Sequence, residues 1–594
     1  MIQASRLYAA LYRFFLGSVD PKPWLVAALV IGSLPYAQAL AATLAGPFTI
    51  DDDARQLVFW MVRWRDPALF QDDLIARYFA SVSPPGFRAA YWLPAQLGID
   101  PVLASKLFPI ALNAVMTLYA FRLGLRLSGG RVPAAFLGAI GLSFLMAWSH
   151  VIISGTPRAF GLPLLMVFLY QMARGSTVGV TLAGALVALT YPPAAALGLG
   201  ALGLTLVRRH GKRWLGGLRL DFSRATVLPI VCAGSVSVAI LLVAALDRDF
   251  GPIASMEQIK SEPMFRSGGR MPLLGEQGAF RMSVCGGLFG VVPIEWCQLM
   301  DRRPAAPILL GLLLAGLIWA ARGIAARGPP GERAIDWSPI VRLLLVGAIL
   351  YGVAFMLMLT LHVPSRYALT PLRLVGLFGA TMFGVLLAER ALRTAGPTAG
   401  KALDRRQWAQ LGLAALTVVA FAALYPLEVS RRNVRPHHPA ILAYLRGQPK
   451  SALIAGMHSM TSNIPSYSRR RVLVASEYAI PVDRGYIARY RARAHAFIDA
   501  QYTADPGRLV AFLQRYRISH LIIDPAALTA AGLKSVWWRR EHRTAHARVT
   551  AALAGGARPA LLGFVAPCAM LKERALSVIA ASCVIERGPR KTGR

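Results

Sequence analysis

Apolar runs alternate with short polar segments over the first 427 residues. A membrane span needs about 17–25 predominantly apolar residues. Runs that approach or meet this length lie at 24–44, 103–121, 132–149, 159–173, 177–190, 193–207, 225–246, 305–321, 339–361, 371–388 and 408–427. The pattern therefore predicts about eleven spans. The runs at 159–173, 177–190 and 193–207 are short, and Tyr191-Pro192-Pro193 separates the last two. Proline lacks an amide donor and restricts the residue before it, so the break is built in.

Between the first two runs lies a polar stretch, 45–100, too long for a simple connector. Leu57, Trp60, Met61 and Trp64 recur there at helical spacing, which predicts a one-faced helix over 53–65. Aromatic residues and arginines together suit a helix resting in the membrane interface. A second long polar segment, 247–304, reads as a lid or an acceptor-binding surface. From 428 onward the pattern changes. Short apolar runs at 451–456, 471–476 and 518–524 read as buried strands, and helical stretches lie near 483–502 and 506–516. Segments 564–570 and 575–584 read as further strands. This predicts a soluble α/β domain over 428–594 behind a membrane domain over 1–427.

Composition supports a membrane protein: 55% of residues are hydrophobic and only 16% are charged. Soluble proteins carry about 25% charged residues. The net charge of +36 invites a nucleic-acid reading, but its placement points elsewhere. Segments on one side of the predicted spans hold 22 Lys and Arg against six acids, and those on the other side hold 15 against 14. By the positive-inside rule the N-terminus is cytoplasmic. The C-terminal domain and the loops 45–100 and 247–304 are then extracytoplasmic. The tail holds 27 Lys and Arg against nine acids; long translocated domains escape the rule. Ala37-Gln38-Ala39 resembles a signal-peptidase site, but the polar lead before it is long, which favours an uncleaved span.

The cysteines agree with that topology. Cys232 lies in a span, Cys285 and Cys297 share one outer loop, and Cys568 and Cys583 share the tail. Two local disulfides follow for an oxidising compartment.

Candidate chemistry gathers on the outer side. Asp51, Asp52 and Asp53 follow the first span directly, and Asp66, Asp72 and Asp73 lie in the same loop. One of the triplet, Asp52 first and Asp53 next, is the candidate general base for an acceptor hydroxyl. Asp72 and Asp73 are candidates to position the acceptor or a metal. The competing reading is that these acids cap helices and face water. Arg158 and Arg366 sit in proline-containing turns, and Lys106 lies near the outer end of the second span. Such cations match phosphate oxygens, or snorkel to headgroups. His437-His438 is adjacent on the chain, and neighbouring side chains point apart.

The acidic motif Ile50-Asp51-Asp52-Asp53-Ala54-Arg55-Gln56 after the first span, the aromatic loop helix, the further spans and the α/β tail resemble the GT-C-fold membrane glycosyltransferases. The bacterial branch resembling protein mannosyltransferases and aminoarabinose transferases comes nearest. The resemblance covers residues 1–427. It implies a polyprenyl-phosphate sugar donor, a glycan, lipid or protein acceptor, and direct displacement at the outer face. It involves membrane lipids and no nucleic acid. It names no cofactor and leaves a divalent metal, Mg or Mn, open. The family motif usually pairs Asp with Glu or separates two acids by one residue, so the unbroken triplet departs from it. Trp537-Trp538 is followed by Arg539 rather than Asp, which speaks against an oligosaccharyltransferase. A lipid-linked glycan transporter or flippase is the main rival, yet transporters place ionisable groups near the bilayer midplane, and these spans hold few. An envelope polysaccharide assembly factor is the other.

Overall fold

Prolines and caps start the helices where the sequence places its polar breaks. The computed structural model describes residues 2–17, 20–46, 48–209, 218–246, 249–302, 336–379 and 433–588, with a few positions between 385 and 408. Helix α1 is Ile2–Leu16 and α2 is Pro21–Leu44, with Asp20 accepting from the Lys22 amide at 3.1 Å. After the acidic segment come α3 (Asp52–Val58), α4 (Leu74–Val82) and α5 (Pro85–Gln96). Then follow α6 (Pro101–Leu127), α7 (Val132–Trp148), α8 (Pro157–Arg174), α9 (Thr177–Thr190), α10 (Pro192–Gly203) and α11 (Arg224–Leu246). Proline at the first helical position costs no hydrogen bond, because that N–H has no helical partner. Gly175, at φ 73°, closes α8 in the left-handed conformation.

Four described helices are long and apolar enough to cross a membrane: α2, α6, α11 over 224–243 and the helix Ser338–Met356. Helices α7, α9 and α10 are shorter. The predicted span at 305–321 and nearly all of that at 408–427 lie outside the described residues, while the one at 371–388 is described over 371–379 and at 385–386. Helix α7 is buried on every side from Val132 to Ala147, which marks it as the centre of the bundle. There Ser143 Oγ donates to Asn113 Oδ1 at 2.6 Å and lies the same distance from the Gly32 carbonyl, joining α7 to α6 and α2. Such interhelical hydrogen bonds are common glue where no water competes. The break between α9 and α10 is also packed. A side chain at Gly161 of α8 would meet the Tyr191 ring at 2.4 Å, so glycine makes the room the break needs.

Four short strands, β1 (Ile50–Asp51), β2 (Val207–Arg209), β3 (Leu218–Leu220) and β4 (Asn433–Val434), precede a five-stranded sheet in the C-terminal part. Its strands are β5 (Leu453–Gly456), β6 (Arg471–Val472), β7 (His520–Ile523), β8 (Ala569–Glu573) and β9 (Leu576–Ala580), in the order β6-β5-β7-β9-β8. The first three run parallel and β9 and β8 antiparallel. Helices Arg484–Tyr502 and Pro506–Tyr516 fall at the predicted stretches between β6 and β7. The expected strand over 575–584 ends at Ala580, and the chain continues as the helix Ala581–Arg587. Disulfides join Cys285 to Cys297 and Cys568 to Cys583, while Cys232 is free.

The segment 247–304 is fastened to the C-terminal part by main-chain bonds. The amides of Ala254, Arg484 and Gly485 donate to the carbonyls of Val482, Pro252 and Phe250 at 2.8, 3.1 and 2.8 Å. Arg491 pairs with Glu262 at 2.5 Å and Arg270 with Glu477 at 2.7 Å.

Candidate active site

The acidic triplet is held from both halves of the chain. Strand β1 (Ile50–Asp51) pairs antiparallel with β4 (Asn433–Val434), Ile50 opposite Val434 and Asp51 opposite Asn433. Asp51 then leaves the extended conformation to cap α3. Its carboxylate accepts from the amides of Asp53 at 3.0 Å and Ala54 at 3.4 Å, and its side chain is buried. Aspartate suits this position because it satisfies amides that the helix leaves unpaired.

Successive helical residues turn by about 100°, so Asp52 and Asp53 point in different directions. Asp52 meets Arg55 one turn later, Nη2 to Oδ1 at 2.6 Å, and its side chain keeps 50% exposure. Asp53 meets Arg158, the second residue of α8. Three adjacent acids thus take three tasks: a buried cap, a half-exposed carboxylate on a buried arginine, and a carboxylate on a second arginine.

The turn before α8 sets Arg158. Gly155 has φ 59°, and a side chain there would lie 2.7 Å from the Ser105 carbonyl. Its own carbonyl accepts from the Tyr91 hydroxyl at 2.7 Å, and Ser154 and Thr156 hydroxyls bond at 2.8 Å. The turn is therefore pressed against α6 and α5. Lys106, next along α6, donates to the Thr43 carbonyl at 2.8 Å and so closes the end of α2. Arg366 is the second residue of the helix Ser365–Arg373, and its Nε is buried with no hydrogen-bond partner among the described residues. Burial, and then the Arg366 charge, push the nearby His362 down to about 4.

Asp73 caps α4, accepting from the Ala76 amide at 2.7 Å, and is buried. Burial raises its proton affinity, against the Ala76 amide and the charges of Arg493 and Arg471. Asp72 is exposed in the preceding turn at φ 52°. The expected helix over 53–65 is α-helical only to Val58 and continues as a 3-10 helix, Phe59–Trp64. Its burial is not one-sided. Val58, Phe59 and Val62, off the predicted stripe, are also buried, and the Phe59 ring lies 5.3 Å from that of Tyr478. Protein covers much of the apolar surface that suggested an interfacial helix.

The residue that sequence reasoning missed is Arg55. It carries one local signal, its place three residues after Asp52. Its other partners, the Ser462 carbonyl and Asn463 Oδ1, both at 3.0 Å, lie 407 and 408 residues away. Gln56, beside it, donates to the Glu477 carbonyl. More contacts join the same halves: Lys450 to Asp66 at 2.6 Å, Arg469 to Asp100 at 2.7 Å and Tyr78 to Asp483 at 2.9 Å. Among the described residues no three His, Cys, Asp or Glu side chains group to hold a metal ion. His438 approaches His458, ring centroids 5.8 Å apart, rather than pairing with His437.

Behind Glu477 lies a buried acid. Burial pushes Glu541 up to about 8, with Arg270 opposing and Glu477 and Glu262 adding to the shift. Tyr490 also faces it. Unfolded, the same carboxyl titrates near its ordinary 4.5, so the folded protein keeps a proton that the unfolded chain releases. The stabilisation from this group is complete below about pH 4.5 and is lost as pH rises to about 8. Glu541→Gln is expected to raise the thermal midpoint at pH 9 and to leave it nearly unchanged at pH 5. Equal shifts at both values would contradict this assignment.

No family model and no curated protein matches the chain. Among solved structures it is similar to the archaeal oligosaccharyltransferase AglB from Archaeoglobus fulgidus in complex with an inhibitory peptide and a dolichol-phosphate. That likeness has 11% identity, a TM-score of 0.49, and covers 88% of this chain and 72% of that one. It is also similar to a mutant of the arabinofuranosyltransferase AftD from Mycobacteria, at 14% identity and TM-score 0.47, over 85% and 37% of the two chains. A third is ArnT from Cupriavidus metallidurans bound to undecaprenyl phosphate, at 14% identity and TM-score 0.40, over 94% and 98%. These neighbours are GT-C-fold glycosyltransferases.

Proposed function

We propose that the protein is a membrane glycosyltransferase. It takes a sugar from a polyprenyl-phosphate carrier and transfers it to a glycan, lipid or protein acceptor at the outer face of the bacterial inner membrane. The observation that carries this reading is the division of tasks among Asp51, Asp52 and Asp53 beside an apolar helical bundle. Of the three, Asp52 combines a fixed position with an open face, since Arg55 holds one oxygen and half of the side chain stays exposed. A general base needs both: it must stay in place and reach the proton it removes.

In this reading the acceptor hydroxyl hydrogen-bonds to Asp52. Its oxygen attacks the anomeric carbon while the bond from that carbon to the carrier phosphate breaks. The hydroxyl proton passes to Asp52, and the electron pair leaves with the polyprenyl phosphate. Negative charge grows on the phosphate as it departs, so fixed cations favour the transition state over the ground state. Arg158 is the first such cation, with its guanidinium already at the triplet. Arg366, in the first turn of the helix Ser365–Arg373, is the second. Lys106 acts through α2, whose last turn it closes.

Analysis of the product tests the scheme. A single displacement inverts the anomeric configuration, so a β-linked donor gives an α-linked product and the reverse. Retention would require a second displacement and would overturn the proposal.

A further inference from the structure

Arg55 is the point where the two halves of the chain share one side chain. Its side chain is nearly buried, with 6% exposure against 50% for the Asp52 side chain it holds. One terminal nitrogen, Nη1, is spent on the C-terminal part: the Ser462 carbonyl and Asn463 Oδ1, each at 3.0 Å. The other, Nη2, is spent on Asp52. A guanidinium is planar and rigid, so fixing one nitrogen fixes the direction of the other. The geometry of Asp52 therefore depends on residues more than 400 positions away.

The supporting turn is itself well tied. Thr461 Oγ1 donates to the His458 carbonyl at 2.7 Å, and the Ser462 and Ser476 hydroxyls bond at 3.1 Å. The Tyr478 hydroxyl donates to the Ser462 carbonyl at 3.2 Å, and the Ser466 hydroxyl to the Arg55 carbonyl at 2.5 Å. The Ser462 carbonyl is main chain, and Tyr478 contacts it as well. Asn463 Oδ1 is the side-chain contact that is specific to the guanidinium.

We infer that Asn463 is a positioning residue of the transfer site. It orients Arg55, and Arg55 in turn orients Asp52, so residues of the C-terminal part complete the site. This rests on the reading that Asp52 serves the transfer reaction.

The test uses the full chain in detergent, with kcat, KM and thermal midpoint measured for each variant. Asn463→Ala is expected to lower kcat about 10–100-fold with KM nearly unchanged, the scale at which small misplacements act. Asn463→Asp keeps an oxygen for Nη1 and is expected to recover most of the loss. Tyr78→Phe removes a different contact between the same halves and is expected to leave kcat within about two-fold, the scale of an uncoupled change. In an Arg55→Ala background, Asn463→Ala is expected to have no further effect, because its action runs through Arg55. Unchanged kcat in Asn463→Ala, an equal fall in Tyr78→Phe, no recovery in Asn463→Asp, or additivity with Arg55→Ala would each overturn the inference. Asp52→Asn measured alongside keeps the two claims apart. Full transfer in that variant removes the Asp52 reading, whereas the Asn463–Arg55 coupling reports on its own whether the C-terminal part sets the site.

Discussion

Asp52→Asn is expected to lower the rate of sugar transfer about 10²–10⁴-fold, the range general-base catalysis contributes. The amide has nearly the size of the carboxylate, and its oxygen still accepts from Arg55 Nη2. It lacks the basicity to take a hydroxyl proton. The loss should therefore fall on kcat. The neighbouring substitutions separate this role from the others in the triplet. Asp51→Asn should be nearly silent in stability, because asparagine caps a helix about as well as aspartate. Asp53→Asn breaks the partnership with Arg158 and should act mainly on the carrier. Initial rates with purified protein decide the matter. If Asp52→Asn and Asp53→Asn both retain full transfer, the catalytic-base assignment fails.

The sequence shows where the triplet lies but not how its labour is divided. Its position after α2 follows from an apolar run that needs no partner to be recognised. The same holds for α6, α7 and α11 and for strands β5 and β7, each marked by local periodicity or a short apolar run. The stop between α9 and α10 is also local, since Pro192 and Pro193 impose it. What local pattern cannot report is a partner far along the chain. Asp51 lies opposite Asn433, Arg55 reaches Asn463, and Gln56 reaches the Glu477 carbonyl. The same limit explains the loop helix. Leu57, Trp60, Met61 and Trp64 make one stripe, but Phe59 is buried as well, its ring beside that of Tyr478. With partners on more than one side, a stripe no longer predicts burial. Asp73 shows the opposite ambiguity. An acid beside a helix start reads equally as ligand or cap, and only the 2.7 Å contact with the Ala76 amide assigns it the cap.

Arg158→Ala is expected to weaken binding of a polyprenyl phosphate about 10–100-fold, while Asp53→Asn is expected to tighten it. The two signs follow from one contact. Arg158 is paired with Asp53, their side chains 22% and 38% exposed, so an arriving phosphate competes with a carboxylate already in place. Charge-assisted hydrogen bonds are worth about 1.5–3 kcal/mol, which sets the cost of losing the arginine. Removing the carboxylate instead leaves the guanidinium to the phosphate and also removes a like charge. These two contributions separate in the double variant. If Asp53 acts by occupying Arg158, Asp53→Asn gives no tightening once Arg158 is alanine. If it acts only as a nearby negative charge, the tightening persists in both backgrounds. Binding titrations with undecaprenyl phosphate in detergent, at fixed ionic strength, read the difference directly. The first result makes the ion pair a contact that the carrier must open before the sugar can be transferred. The second would make Asp53 a nearby like charge rather than an occupant of Arg158, and it is unchanged affinity in Arg158→Ala that would shift the phosphate role to Arg366.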